Sequence, residues 1–77
     1  MNAHNMQLQM INRSMLESII GLSRSTIYDR LNPKSKRYDP TFPKPIKFGH
    51  STRWKLSEVS EWIEARAAAR NPNRLTS

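Results

Sequence analysis

Three consecutive residues, Gly21-Leu22-Ser23, constrain the fold of this chain more than any other feature. Gly21 can adopt the left-handed conformation that ends a helix, and Ser23 can cap the first amides of the following helix. A tight turn between two short helices is therefore predicted here. Apolar residues at helical spacing flank the turn, with Leu16, Ile19 and Ile20 before it and Ile27 and Leu31 after it.

The two predicted helices are short. The first covers about residues 15–20, and Ser14 and Glu17 have the spacing of a capping box at its start. The second covers residues 24–31 and ends at Asn32-Pro33, because proline disfavours the helical conformation in the residue before it. Two such helices joined by a tight turn are typical of a helix-turn-helix, whose second helix enters the major groove of DNA.

A proline-rich segment and a β-pattern follow the second helix. Residues 32–45 contain four of the five prolines, which predicts a semi-rigid basic loop without regular structure. Residues 46–48 and 52–54 then alternate apolar and basic side chains around Gly49-His50-Ser51. This pattern predicts a β-hairpin with its apolar side chains facing inward and its basic side chains facing outward.

The last predicted element is a third helix, capped by Ser57 and closed by Asn71-Pro72. Val59 and Trp62 begin its apolar face. We predict that Trp54 and Trp62 both belong to the core, because a chain of 77 residues has little apolar surface to spare.

One domain is expected. Residues 1–12 have few charges and no sustained period, so we expect a flexible arm, followed by the domain over residues 13–70 and a frayed tail over residues 71–77. The first residues lack the basic start and apolar run of a signal peptide, and no stretch is apolar enough to span a membrane. We therefore expect a cytoplasmic protein without membrane contact.

The positive charge is concentrated in one part of the chain. The net charge is +7, and residues 24–55 hold nine basic residues against two acidic ones. Residues 56–70 hold three glutamates against two arginines. This asymmetry favours contact with nucleic acid over a merely solvated surface. The alternative is a small basic interaction protein that binds an acidic protein partner.

Catalysis has no support in the sequence. Cysteine is absent, and His4 and His50 are far apart, which argues against a metal site. The four glutamates lie away from both histidines, and no glycine-rich phosphate loop is present. We therefore expect no enzymatic activity and no cofactor.

Three blocks of sequence, residues 21–28, 42–49 and 53–63, resemble the AlpA family of small phage and genomic-island regulators. The resemblance implies a mainly α fold with a small β-hairpin, the MerR-like winged helix-turn-helix. It also implies binding of double-stranded DNA, as a transcriptional regulator of integrase genes, as an excisionase (recombination directionality factor), or as both. A cognate integrase and several cooperating copies on DNA are the partners this would involve. Asp29, His50 and the length of residues 34–41 depart from the usual family pattern.

This reading predicts three kinds of DNA contact. The second helix would read base edges, the basic loop would attract phosphates whatever the sequence, and the hairpin, or wing, would touch the backbone or the minor groove. The simpler alternatives are first-turn roles for Ser25 and Thr26, core packing for Tyr28, and a wing whose charges only aid solubility. The candidate DNA-binding residues are Ser23, Arg24, Ser25, Thr26, Tyr28, Asp29, Arg30, Lys34, Lys36, Arg37, Lys47, His50, Ser51, Thr52 and Arg53.

Overall fold

A computed structural model describes residues 9–70 and contains three helices and a small antiparallel sheet, which confirms the predicted fold class. The elements follow the chain in the order β1 (Met10–Ile11), α1 (Arg13–Ile20), α2 (Arg24–Leu31), β2 (Ile46–Phe48), β3 (Ser51–Lys55) and α3 (Leu56–Ala69). The predicted C-terminal tail, the helix end at Asn71-Pro72 and the first eight residues of the predicted arm lie outside the described residues. Between residues 9 and 70, no helix is long and apolar enough to cross a membrane.

The turn between α1 and α2 forms as predicted. Gly21 has a φ of 70°, in the left-handed region, and its amide donates a hydrogen bond of 2.8 Å to the Glu17 carbonyl. Ser23 caps α2, since its Oγ accepts a hydrogen bond of 3.3 Å from the Thr26 amide. These local interactions confirm the start of α2 and the end of α1.

The predicted capping box at the start of α1 is wrong. Asn12 is the cap, and its Oδ1 accepts a hydrogen bond of 2.8 Å from the Met15 amide. Glu17 does not reach back to Ser14 but binds Arg13, with 2.9 Å between Arg13 Nε and Glu17 Oε2. Asparagine and serine are both good caps, and the helix begins two residues earlier because strand β1 ends at Ile11.

The predicted cap of α3 is also wrong. Strand β3 passes directly into α3 at Leu56, with Lys55 at the cap position and no side-chain cap, so Ser57 lies inside the helix. The Leu56 amide instead donates a hydrogen bond of 3.0 Å to the Gln9 carbonyl, just before β1. Backbone from the N-terminal strand therefore satisfies the first amide of the helix, a task usually performed by a capping side chain.

The sheet has β3 at its centre, paired antiparallel with β1 on one side and β2 on the other. Met10 and Ile11, which the sequence placed in a flexible arm, form β1, and Ile11 lies opposite Trp54. Ile11 is buried, so that part of the arm assignment is wrong. A two-residue strand has too little pattern to be distinguished from an irregular segment.

The core lies between the inner face of the sheet and the helices. Its fully buried residues come from almost every element and from the proline loop: Ile11, Leu16, Ile27, Phe42, Trp54 and Val59. Trp54 belongs to the core as predicted, and its Nε1 donates a hydrogen bond of 3.1 Å to the Pro43 carbonyl. Trp62 is partly buried against this core, where its ring meets that of Phe42 edge-on at 5.0 Å between centroids.

Hydrogen bonds hold the loop over residues 32–45 in place. The Asp39 carboxylate accepts hydrogen bonds from the Thr41 amide at 2.9 Å, the Thr41 hydroxyl at 2.6 Å and Trp62 Nε1 at 3.3 Å. These contacts, with the Thr41 hydroxyl contributing most, lower the pKa of Asp39 below its ordinary value. The Asp39 amide donates to the Arg30 carbonyl at 2.9 Å, which ties the loop to the end of α2.

The prediction that the apolar residues of the hairpin face inward is wrong for Ile46 and Phe48. The register pairs Ile46 with Arg53 and Phe48 with Ser51. Directly paired residues share a face of an antiparallel sheet, and neighbours along a strand alternate. Trp54 therefore points to the inner face, while Phe48, Ile46 and Arg53 lie on the outer face. Lys47 pairs with Thr52 on the face of Trp54, so the prediction that the basic side chains face outward is wrong for Lys47. Phe48 is 56% exposed and Ile46 is 37% exposed.

Candidate nucleic-acid interface

The outward side of α2 presents polar and aromatic side chains. Arg24 and Ser25 are exposed at the start of the helix, and Tyr28 is 41% exposed one turn later. The Arg24 guanidinium carbon lies 6.0 Å from the centre of the Tyr28 ring. Ile27 is fully buried on the opposite side, so α2 is anchored by one face and free on the other.

Ser23 and Thr26, two further candidate DNA-binding residues, form the N-terminal cap of α2. The hydroxyls of Ser23 and Thr26 lie 3.1 Å apart, and Ser23 Oγ also accepts from the Thr26 amide. Both hydroxyls remain at the surface, with Ser23 exposed and Thr26 half-buried. Ser23 and Thr26 therefore stabilise the start of α2, whereas Ser25 takes no part in the cap.

The last turn of α2 is joined to the basic loop. Asp29 forms a surface ion pair with Arg37, with 3.7 Å between Arg37 Nη1 and Asp29 Oδ2. Such an exposed pair contributes little to stability, but it reduces the repulsion that a free Asp29 would exert on phosphates. Arg30 is half-buried, and its Nε has no hydrogen-bond partner among the described residues.

The basic residues of the loop lie in turns that are stabilised by side-chain to backbone hydrogen bonds. Asn32 Oδ1 accepts a hydrogen bond of 3.0 Å from the Lys34 amide, and Ser35 Oγ accepts one of 3.1 Å from the Arg37 amide. Lys34, Lys36 and Arg37 are all exposed. Side chains that hydrogen-bond to nearby backbone give a proline-rich segment a defined shape, so these charges keep a fixed relation to α2.

The wing is a hairpin whose turn contains Gly49 and His50. Gly49 has a φ of 62°, which favours glycine, and His50 is exposed beside it. Lys47 Nζ donates to Thr52 Oγ1 at 2.8 Å, across the two strands. Arg53 Nη1 donates to the Thr52 carbonyl at 2.9 Å. No acidic residue occurs between residues 46 and 55.

An open groove of about 400 Å³ lies between α2 and the wing. It brings together five predicted residues, Tyr28, His50, Ser51, Thr52 and Arg53, and adds Asn12, Arg13 and Ser14 from the start of α1. The groove exists because β1 pairs with β3 only at Lys55 and Trp54. The first half of β3 therefore faces the start of α1 across open space.

Arg13 is the groove residue that sequence reasoning missed. Its side chain is about one-third exposed and is held by Glu17. The hydrogen bond that Arg13 Nε donates to the Glu17 carboxylate is the main cause of a raised Arg13 pKa, and Tyr28 contributes in the same direction. Recognition of Asn12 as the helix cap would have placed Arg13 in the first turn of α1.

Acidic residues are placed away from this surface or are already paired. Glu17 binds Arg13, Asp29 binds Arg37, and Asp39 is held by Thr41 and Trp62. The other three acidic residues of the chain, Glu58, Glu61 and Glu64, lie on α3. Across the described residues, no group of three histidine, aspartate or glutamate side chains is arranged to hold a metal ion.

Two comparisons with known proteins gave a match. The model of the family described as prophage CP4-57 regulatory protein (AlpA) matches residues 9–67. The DNA-binding transcriptional activator AlpA of Escherichia coli (strain K12) is 53% identical over 47 residues, which cover 60% of this chain and 67% of that protein. No solved structure matches the chain significantly.

Proposed function

Because the chain belongs to the AlpA family of prophage regulatory proteins, we propose that it binds specific sequences of double-stranded DNA in a phage or genomic island and regulates transcription there. The E. coli relative is a DNA-binding transcriptional activator, which supports this proposal. The function is that of a regulator and not of an enzyme.

One observation carries the proposal: α2 has a basic loop attached to its end and a basic wing across an open groove from Tyr28. The Arg37–Asp29 pair and the Asp39–Arg30 hydrogen bond attach the loop to the end of α2. The groove beside Tyr28 connects α2 to the wing. A helix in the major groove with cations on both sides would contact base edges in the middle and phosphates at the flanks.

The contacts divide into two classes on this proposal. Arg24, Ser25 and Tyr28 stand on the exposed side of α2 and would meet base edges, supported by Ser23 and Thr26. The basic side chains of the loop and the wing, together with His50 at the wing tip, would meet phosphates and fix the register. The residues of this second class are Lys34, Lys36, Arg37, Lys47, His50 and Arg53.

Binding to a selected DNA site tests the proposal. Selection from a random duplex library should enrich one sequence motif, and the affinity for that motif should fall steeply as salt rises. Lys36→Ala should reduce the slope of log K against log salt by about 0.9 for one lost phosphate contact. Arg70→Ala removes a charge from the exposed end of α3 and serves as the control, with no change in slope expected.

Two results would contradict the proposal. Failure to enrich any motif, together with tight binding to an acidic protein, would favour the alternative of a basic interaction protein. Equal slopes for Lys36→Ala and Arg70→Ala would show that DNA affinity depends only on the net charge of the protein. The loop would then lie outside the interface.

A finer proposal concerns excision. We propose that several copies bind beside an attachment site, bend the DNA and promote excision by a cognate integrase. Smooth bending of a 20–30 bp site by 40–90° costs about 1–6 kcal/mol, which phosphate contacts from successive copies would offset. An excision assay with the integrase, run with and without the protein, tests this role. Equal excision rates would leave only the role in transcription.

A further inference from the structure

Phe48 is an aromatic side chain on the outside of the wing. At 56% it is the most exposed of the large apolar side chains among the described residues. Ile46 lies two residues earlier on the same outer face and is 37% exposed. The antiparallel register holds them there, because it must place Trp54 and Ile11 on the inner face to complete the core.

The position of Phe48 is well defined. It forms the last strand pair, with Ser51, directly before the turn at Gly49 and His50. The base of the hairpin is anchored by the buried Trp54, whose indole binds the Pro43 carbonyl at 3.1 Å. The Phe48 ring thus lies near the tip of a hairpin whose base is anchored in the core.

The charges near Phe48 indicate the kind of partner that would cover its ring. Arg53 and Lys55 lie on the same outer face as Phe48, and residues 46–55 include no acidic residue. An apolar side chain that shares its face with cations and with no carboxylate fits a polyanion that offers an apolar surface between its charges. The minor groove of duplex DNA has this chemistry, since phosphates line its edges and stacked bases and sugars form its floor.

We propose that Phe48 inserts as a wedge at a base step of the minor groove and kinks the DNA, while Ile46 contacts the adjacent sugars. This inference rests on the proposed DNA binding and adds the mode by which the wing deforms its site. Proteins that bend DNA through the minor groove use apolar side chains in this way and produce kinks of about 20–90°. Arg53, which lies opposite Ile46 on the same outer face, would neutralise a phosphate beside the step.

The test compares three variants on a selected DNA site. Bend angle is measured by circular-permutation gel shift, and unstacking by the fluorescence of 2-aminopurine placed at successive positions beside the α2 site. Wild type should give a kink of about 20–90° and one bright position. Phe48→Ala should lose both, while Phe48→Leu should retain most of the kink because leucine also serves as a wedge. Ile19→Ala, on α1, removes an apolar side chain of 43% exposure and should change neither signal.

The outcomes separate this inference from the proposed function. If Phe48→Ala binds DNA with an unchanged bend and unchanged fluorescence, the wedge is overturned and DNA binding stands. If wild type selects no DNA site, both proposals fail. If wild type self-associates without DNA in sedimentation and Phe48→Ala does not, a second copy covers the ring and the wedge is overturned. Equal thermal melting of Phe48→Ala and wild type establishes that the variant is folded.

Discussion

Replacement of Ile11 tests whether the short strand β1 is part of the domain. Ile11 is 1% exposed and lies opposite Trp54 in the sheet. It is one of six fully buried apolar residues within the described part of the chain. If β1 is integral to the fold, shortening this side chain must destabilise the whole domain.

The expected magnitude follows from burial. Ile→Val in a core costs about 0.5–1.5 kcal/mol, and Ile→Ala costs about 2–5 kcal/mol. A core of this size supplies only about 3–5 kcal/mol of net stability, so Ile11→Ala should leave little folded protein. Ile11→Val is the measurable variant. For a small domain, 1 kcal/mol corresponds to a change in Tm of about 4–8 °C.

Urea and thermal unfolding, followed by tryptophan fluorescence, measure the effect, because Trp54 is paired with Ile11. Ile46→Val is the matched control, since it removes the same methylene from a strand position that is 37% exposed. Its free energy of unfolding should stay within about 0.5 kcal/mol of wild type. Equal stabilities of Ile11→Val and Ile46→Val would refute the reasoning and return residues 10 and 11 to a dispensable arm.

Three further predictions concern the interface and the loop. Arg24→Ala should weaken binding to the selected DNA site by about 1–3 kcal/mol and binding to random duplex by much less, if Arg24 contacts a base. Equal losses on both DNAs in a gel-shift titration would make it a phosphate contact. Glu17→Gln should release Arg13 from its 2.9 Å ion pair, tighten DNA binding and steepen the salt dependence. Unchanged binding would place Arg13 outside the interface. The lowered pKa of Asp39 means that its stabilising contribution is present above the unfolded-state pKa of about 3.9 and is lost as pH falls through the lower folded value. The Tm of wild type should therefore fall towards that of Asp39→Asn as pH falls below about 4, and a constant difference in Tm would contradict this assignment.

Features encoded by short-range chemistry could be predicted from the sequence. Gly21 ends α1 and Ser23 begins α2 because a left-handed glycine and a capping hydroxyl act on amides within a few residues. The hairpin and the burial of Trp54 were predicted for similar reasons, from alternation and from a glycine-containing turn. The concentration of positive charge between residues 24 and 55 is likewise a property of the sequence alone.

The sequence alone could not decide which of several suitable residues caps each helix. Asn12 and Ser14 are both suitable caps for α1, and Ser57 is a suitable cap for α3. The choice is made by β1, which ends at Ile11 and whose neighbour Gln9 supplies a carbonyl to the Leu56 amide. A contact between residues so distant in sequence has no local signature.

The composition of the candidate interface was decided by the tertiary structure. In a hairpin with apolar residues on both faces, the sequence does not say which face meets the core. Pairing of β3 with β1 assigns the inner face to Trp54 and Ile11, and this turns Phe48 outward. The same pairing, limited to Lys55 and Trp54, opens the groove that brings Arg13 beside Tyr28 and the wing. Local chemistry thus determined the turn between α1 and α2 and the hairpin, whereas the pairing of β1 decided where α1 and α3 begin, and the burial of one side of the sheet determined which side chains are left to bind a partner.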